Sequence, residues 1–345
     1  MPGSVLRIVK TYQCLPLLLA VLAGLVLTGC SQPENIITSV HTLNQRIAST
    51  LDTDAVQLSY SPRPAPLPAV RQLKPAGQPV GMSLLTSLRL GHCNVGQQIA
   101  QRNSALGRLE DGLMRLQGDI KLLQGLKECI KQPKSAPLVD ELQRAIEAKS
   151  RQLQFDTAHA LATDKALRNA LDIGAEPLQK VDPAAFNTAL DALTQIVNWL
   201  QQPGPQPHLH EWREQLAQSD YLNRLSRSVV SMRLKLRQLQ AGLPPLTRAT
   251  GCDSKGVPQR AKVLRNVFMQ FFINDVQADL ALLTTQFQQY QPLLRQLADI
   301  SPQPALTGYL VRLSEQGQQL SKVSKSFVQP WQEFFANCGF TPGED

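Results

Sequence analysis

The side chains able to do chemistry are few and widely spaced. Five histidines are present in 345 residues. The densest polar group is His208-Leu209-His210-Glu211. On a helix, residues two apart face different ways, so His208 and His210 could not share a metal there. On an extended segment after Pro207 they could, given a third ligand, but an exposed pair at a helix start is the simpler expectation. His92-Cys93 sets a base beside a thiol, yet chain neighbours do not form a nucleophile–base pair. Glu110-Asp111 and Asp140-Glu141 fall at expected helix starts, where acids suit the helix dipole. They are not evidence for paired glycosidase carboxylates. No GxSxG, P-loop, GxGxxG after a strand or HExxH is present. No catalytic residue, metal site or cofactor is therefore expected.

Two polar features remain. Arg102-Asn103-Ser104 lies just before Gly107. It reads first as a cluster satisfying helix-end carbonyls, with Gly107 in a left-handed cap. Alternatively, Arg102 and Asn103 line a binding site, since a guanidinium can clamp a carboxylate or phosphate. The second feature is Tyr221–Cys252, with Arg224, Arg227, Arg233, Lys235, Arg237 and Arg248 and no acid. On a helix these fall opposite the leucines. They form a solvated face or dock on an anionic lipid head group, lipopolysaccharide or cell-wall glycan.

The start of the chain is an address. Arg7 and Lys10 precede the apolar run from Leu15 to Leu27, followed by Thr28, Gly29 and Cys30. The run is shorter than the roughly 20 apolar residues of a membrane span, and its layout is that of a secretory signal peptide over 1–29. Leu27-Thr28-Gly29-Cys30 resembles the lipobox of bacterial lipoproteins. That resemblance implies cleavage before Cys30, a diacylglycerol on its thiol and an acyl chain such as palmitate on its amine. Several chains anchor stably where one is marginal. In lipoproteins an Asp after the cysteine commonly signals inner-membrane retention. Ser31 therefore favours the outer membrane, facing the periplasm. Removing 1–29 takes two basic residues and no acid, lowering the formal charge of +8 to about +6. Nucleic acid is excluded as a partner by this compartment.

Six cysteines agree with the address. Cys14 leaves with the signal and Cys30 takes the lipid, leaving Cys93, Cys129, Cys252 and Cys338. An even number in an exported chain reads as disulfides, and four cysteines allow three connectivities. Two helices folded back about Glu110-Asp111-Gly112 bring their far ends, Cys93 and Cys129, together. Cys252–Cys338 follows the same logic about Ser301-Pro302-Gln303-Pro304.

The elements that must position these groups are helical. The chain has 54 Leu and 38 Gln against 5% aromatic residues. Straight-chain residues favour helix, and runs of β-branched residues are scarce. Residues 30–35 form a tether. Helices are expected over 36–51, 82–107, 112–131, 135–173, 183–202, 259–298 and 305–336, with a leucine seam at Leu222, Leu225, Val229, Met232, Leu236, Leu239 and Leu243. Pro292 should kink its helix. The prolines of 61–68, with Pro75 and Pro79, make an extended strap. Pro203-Gly204-Pro205-Gln206-Pro207 is the clearest linker, dividing a part over 36–202 from one over 208–345 within one body. The expectation is an all-α, elongated bundle of about seven antiparallel helices, stapled by two disulfides.

Leu84-Leu85, Leu88, Leu90 and Cys93, then Ile99-Ala100-Gln101-Arg102-Asn103-Ser104 and Leu106-Gly107-Arg108, resemble a family of Gram-negative lipoproteins known as domain of unknown function 3080. Trp331-Gln332 and Cys338-Gly339-Phe340 at the close fit the same pattern. The resemblance implies a lipoprotein and no particular activity. The functional expectation is a membrane-anchored, non-enzymatic helical module that binds another envelope protein. The alternative is a binder of an anionic envelope component.

Overall fold

Capping residues between leucine-rich runs set the limits of each helix. A computed structural model describes residues 35–59, 64–73, 89–252 and 256–340. Every regular element among them is helical. The signal, Cys30, the tether to Glu34, the strap residues 60–63 with Pro75 and Pro79, and Leu84, Leu85 and Leu88 lie outside the described residues.

The first helices are α1 (Thr38–Leu51), α2 (Val70–Leu73), α3 (Val95–Asn103), α4 (Ala105–Leu109) and α5 (Gly112–Cys129). A 3₁₀ turn over Pro133–Leu138 leads into α6 (Val139–Thr163) and α7 (Lys165–Leu171). Then come α8 (Pro183–Gln201), α9 (Leu209–Gln218), α10 (Tyr221–Gly242) and α11 (Leu246–Thr250). The rest are α12 (Gln259–Val267), a π-helical stretch (Phe268–Val276), α13 (Gln277–Ile300), α14 (Pro304–Ser314) and α15 (Gln316–Asn337).

The all-α class holds, but several long expected helices are broken for local reasons. The run expected over 135–173 stops at Asp164, whose buried carboxylate accepts from Ala166 and Leu167 N–H and so begins α7. The run over 305–336 turns at Glu315. Gly317 then lies against Phe287, where a methyl would sit 2.6 Å from Cδ1. The run over 259–298 changes to π geometry at Phe268, burying Phe268, Phe272 and Val276, and α13 then continues through Pro292. In α15, Pro330 has no N–H for the Ser326 carbonyl one turn back. Gln240 of α10 donates to that carbonyl instead, at 2.9 Å.

Two cores result. The larger draws on both sides of the 203–207 linker, from Leu43 and Leu193 through Leu225 to Phe327 and Trp331. That linker is held down by Trp199 Nε1, which donates to Gly204 O at 2.8 Å. The smaller gathers Leu90, Val95, Ile99, Leu126, Cys129, Leu138 and Leu142. The 203–207 linker thus lies within one core; the separate core lies around α3, α5 and the start of α6. The described part of the strap is docked, with Leu67 and Leu73 buried in the larger core and Pro68 O accepting from Arg168 at 3.0 Å.

Both disulfides form as paired in the sequence reading. Cys93–Cys129 has Cα atoms 5.7 Å apart and staples the smaller core. Cys252–Cys338 has Cα atoms 5.1 Å apart and ties the end of α11 to the end of α15.

Candidate functional site

The Arg102 block sits where α3 breaks, and its three residues do different work. Ser104 is the cap. Its hydroxyl donates to Gln101 O at 2.6 Å and accepts from Gly107 N–H at 3.1 Å, starting α4. Asn103 is exposed. Arg102 turns inward. Its Nη2 lies 2.6 Å from Asp119 Oδ1, and its Nη1 donates to Arg115 O at 3.3 Å. It therefore binds the flank of α5 and caps no helix. Gly107 is not left-handed either; the left-handed residue at this turn is Gly112, at φ +56°. Gly107 is needed for closeness, since a methyl there would sit 2.2 Å from Gln101 O.

Asp119 is one of four linked charges. Lys149 of α6 reaches it at 3.1 Å and Asp156 at 2.8 Å. Asp119 and Lys149 are only 2% and 6% exposed. Isolated buried charges would be costly, but here two cations alternate with two carboxylates and the group is neutral. The network fixes Arg102 between α3, α5 and α6. Its guanidinium forms one wall of a cavity of about 270 Å³. Gln98, Gln101, Glu110, Met114 and Lys121 are among its other lining residues. Beside it, Leu106 and Leu109 stand 79% and 78% exposed. They are three apart on α4 and so share a face.

The other polar groups do not converge. Of the basic residues on α10, Arg227 is 3% exposed, Arg224, Arg233 and Lys235 are part-buried, and only Arg237 is exposed. The expected solvated face opposite the leucines is thus corrected. The helix touches α1, α7, α8, α13 and α15, so both its sides are covered. Arg224 pairs with Asp220 at 3.3 Å and donates to Pro177 O, and Arg233 donates to Gln319. Burial, then the neighbouring Arg237 charge, lowers the Arg233 pKa; burial, then Arg227, lowers that of Lys235. Arg248 is exposed on α11, away from the seam helix.

His208 and His210 are exposed and pair with Glu211 at 3.2 Å and Glu214 at 3.7 Å, both pairs running along α9. His92, Cys93 and Cys129 place their donor atoms within 4.8 Å of one another. The two sulfurs are joined in the disulfide, so neither is a thiolate ligand. His92 Nε2 meets Ser135 Oγ at 2.8 Å, which has the look of a base and nucleophile. Ser135, however, is fully buried and its hydroxyl is given to Cys129 O at 2.6 Å. Sequence reasoning missed Asp119, Lys149 and Asp156. No local signal distinguished them from surface charges on amphipathic helices.

Fold and site together define a class: an all-α, doubly disulfide-bonded body with a cavity whose wall includes Arg102 of a buried ion network. Residues 40–342 match the model of the family described as a protein of unknown function, DUF3080, and the chain belongs to that family. No curated protein and no solved structure matches it.

Proposed function

We propose that this protein is a lipid-anchored lipoprotein of the outer membrane, facing the periplasm, and that its helical body is a non-catalytic module binding another envelope protein. The N-terminal pattern ending at Cys30 supports the anchor. The two disulfides suit an oxidising compartment. No helix among the described residues is long and apolar enough to cross a membrane.

The observation that carries the binding role is the α3–α5 face. There Leu106 and Leu109 stand exposed beside an Arg102 whose position a buried charge network fixes. Rigid polar groups flanked by exposed apolar side chains make a recognition surface. Of the basic residues on α10 only Arg237 is exposed, which favours the α3–α5 face over that helix as the binding surface. Photocrosslinking in whole cells tests the proposal, with probes at Gln101, Leu106 and Leu109 and a control probe at Arg237. A discrete protein adduct from the first three and none from Arg237 is expected. Absence of any protein adduct at the α3–α5 face refutes it. Cys30→Ala should move the protein from the membrane fraction to the soluble periplasmic fraction, and unchanged membrane association would refute the lipid anchor.

A further inference from the structure

We propose that the α3–α5 cavity is a site for a small zwitterion, an amino acid or dipeptide with both its amine and its carboxylate free. The inference rests on reading this lobe as the binding end of the molecule, and adds a small-molecule ligand to it.

The argument starts at Gly118. A methyl on that residue would lie 3.2 Å from Arg102 Nη1 and 3.7 Å from Glu110 Oε2. A guanidinium and a carboxylate thus approach the same point. They do not close on each other, since the ion pair of Arg102 is with Asp119 and Glu110 has none among the described residues. Gly118 keeps the gap between them open. Lys121, one turn further along α5, adds a second cation to the lining.

Arg102 is equipped for a second anion. Of its five N–H donors, one serves Asp119 and one serves the Arg115 carbonyl. The charge of Asp119 is also shared with Lys149, so Asp119 does not neutralise Arg102 alone. The guanidinium cannot swing away, because the network holds it at 20% side-chain exposure.

Charge balance then selects the ligand. A simple anion meets Glu110, and a simple cation meets Arg102 and Lys121. A molecule carrying both signs satisfies all three. The carboxamides of Gln98 and Gln101 suit a peptide group, and Met114 and Leu122 give an apolar wall for an aliphatic side chain. No aromatic ring among the described residues lines the cavity, so they offer no stacking platform for a sugar. At about 270 Å³ it falls just below the roughly 300–1,000 Å³ of drug-sized sites, a size suited to one or two residues of peptide.

Isothermal titration calorimetry on the purified full-length protein in detergent tests this. The probes are glycyl-L-leucine, its N-acetyl and C-amide derivatives, N-acetylglucosamine and inorganic phosphate. The free dipeptide should bind, and each cap should weaken binding by at least about tenfold, as loss of a charge-assisted bond does. Glu110→Gln should erase the discrimination against the N-acetyl form. Gly118→Ala should abolish binding by filling the gap. Glu110→Gln should keep the wild-type melting temperature, and Gly118→Ala should keep the wild-type far-UV circular dichroism, which separates loss of the site from loss of the fold. No heat with the free dipeptide, or equal affinity for the capped forms, overturns the proposal. Binding of phosphate alone or of the sugar alone overturns it too. The crosslinking and calorimetric tests fail separately. A protein adduct without dipeptide binding removes the zwitterion site only, and dipeptide binding without an adduct removes the docking role only.

Discussion

Asp164→Ala should cost more stability than any other single acid-to-alanine change outside the ion network. The carboxylate has no solvent exposure and carries four bonds. Oδ1 accepts from Ala166 N–H at 3.0 Å and Leu167 N–H at 3.1 Å. Oδ2 accepts from Leu113 N–H at 3.1 Å and Arg213 Nε at 2.8 Å. One side chain therefore caps α7, ties down the start of α5 and holds α9. Losing the cap costs about 1 kcal/mol. Leaving the buried Leu113 N–H without an acceptor costs about 1–3 kcal/mol. Arg213 is partly exposed and has Asp111 at 3.9 Å, so its share is at most about 1 kcal/mol after screening. The total is roughly 2–5 kcal/mol. Urea unfolding of the purified protein, followed by far-UV circular dichroism, reads this as a lower midpoint at unchanged slope. Asp191→Ala, on the exposed side of α8, is the control and should change stability by no more than about 0.5 kcal/mol. If Asp164→Ala stays within about 1 kcal/mol of the wild type, the claim that one carboxylate joins three helices is refuted.

Gly112→Ala should be destabilising at the same junction, because it adds a side chain at φ +56° and a methyl 2.4 Å from Asp164 Oδ2; a wild-type melting temperature would contradict this. Lys149→Met should cost about 3–5 kcal/mol by leaving the buried Asp119 without one of its cations, measured by the same urea titration. Arg227→Glu should prevent folding or lower the melting temperature sharply, whereas Arg237→Glu should leave it unchanged, since only the second is exposed. The His41 pKa is lowered from its ordinary 6.5, first by burial and then by the Lys235 charge. The unfolded chain thus binds a proton before the folded one as pH falls. Stability from this group is complete above pH 6.5 and is lost as pH falls from there through the lowered folded value. His41→Gln should flatten the melting-temperature profile in that window, and an unaltered profile would remove His41 as its source.

Much of the fold was legible in the residues alone. The leucine spacing of α10, the Asp182-Pro183 start of α8 and the pairing of four cysteines follow from local periodicity, capping and parity. Each depends on neighbours in the chain or on a simple return of one helix beside another. The helix breaks at Asp164 and Glu315 were not legible, because each serves a contact with a distant helix. Nor was the burial of Arg227, since a leucine seam shows that one side of α10 is covered and says nothing of the other. The candidate site was half legible. Arg102 stood out by its residue type, but its partners Asp119, Lys149 and Asp156 come from two other helices. Sequence alone determined that this chain forms disulfide-stapled helices. Only the packing of α3, α5 and α6 decided which charges lie inside and where a cavity opens, because burial and charge pairing depend on which helix faces meet, a property of the whole chain and not of any window of it.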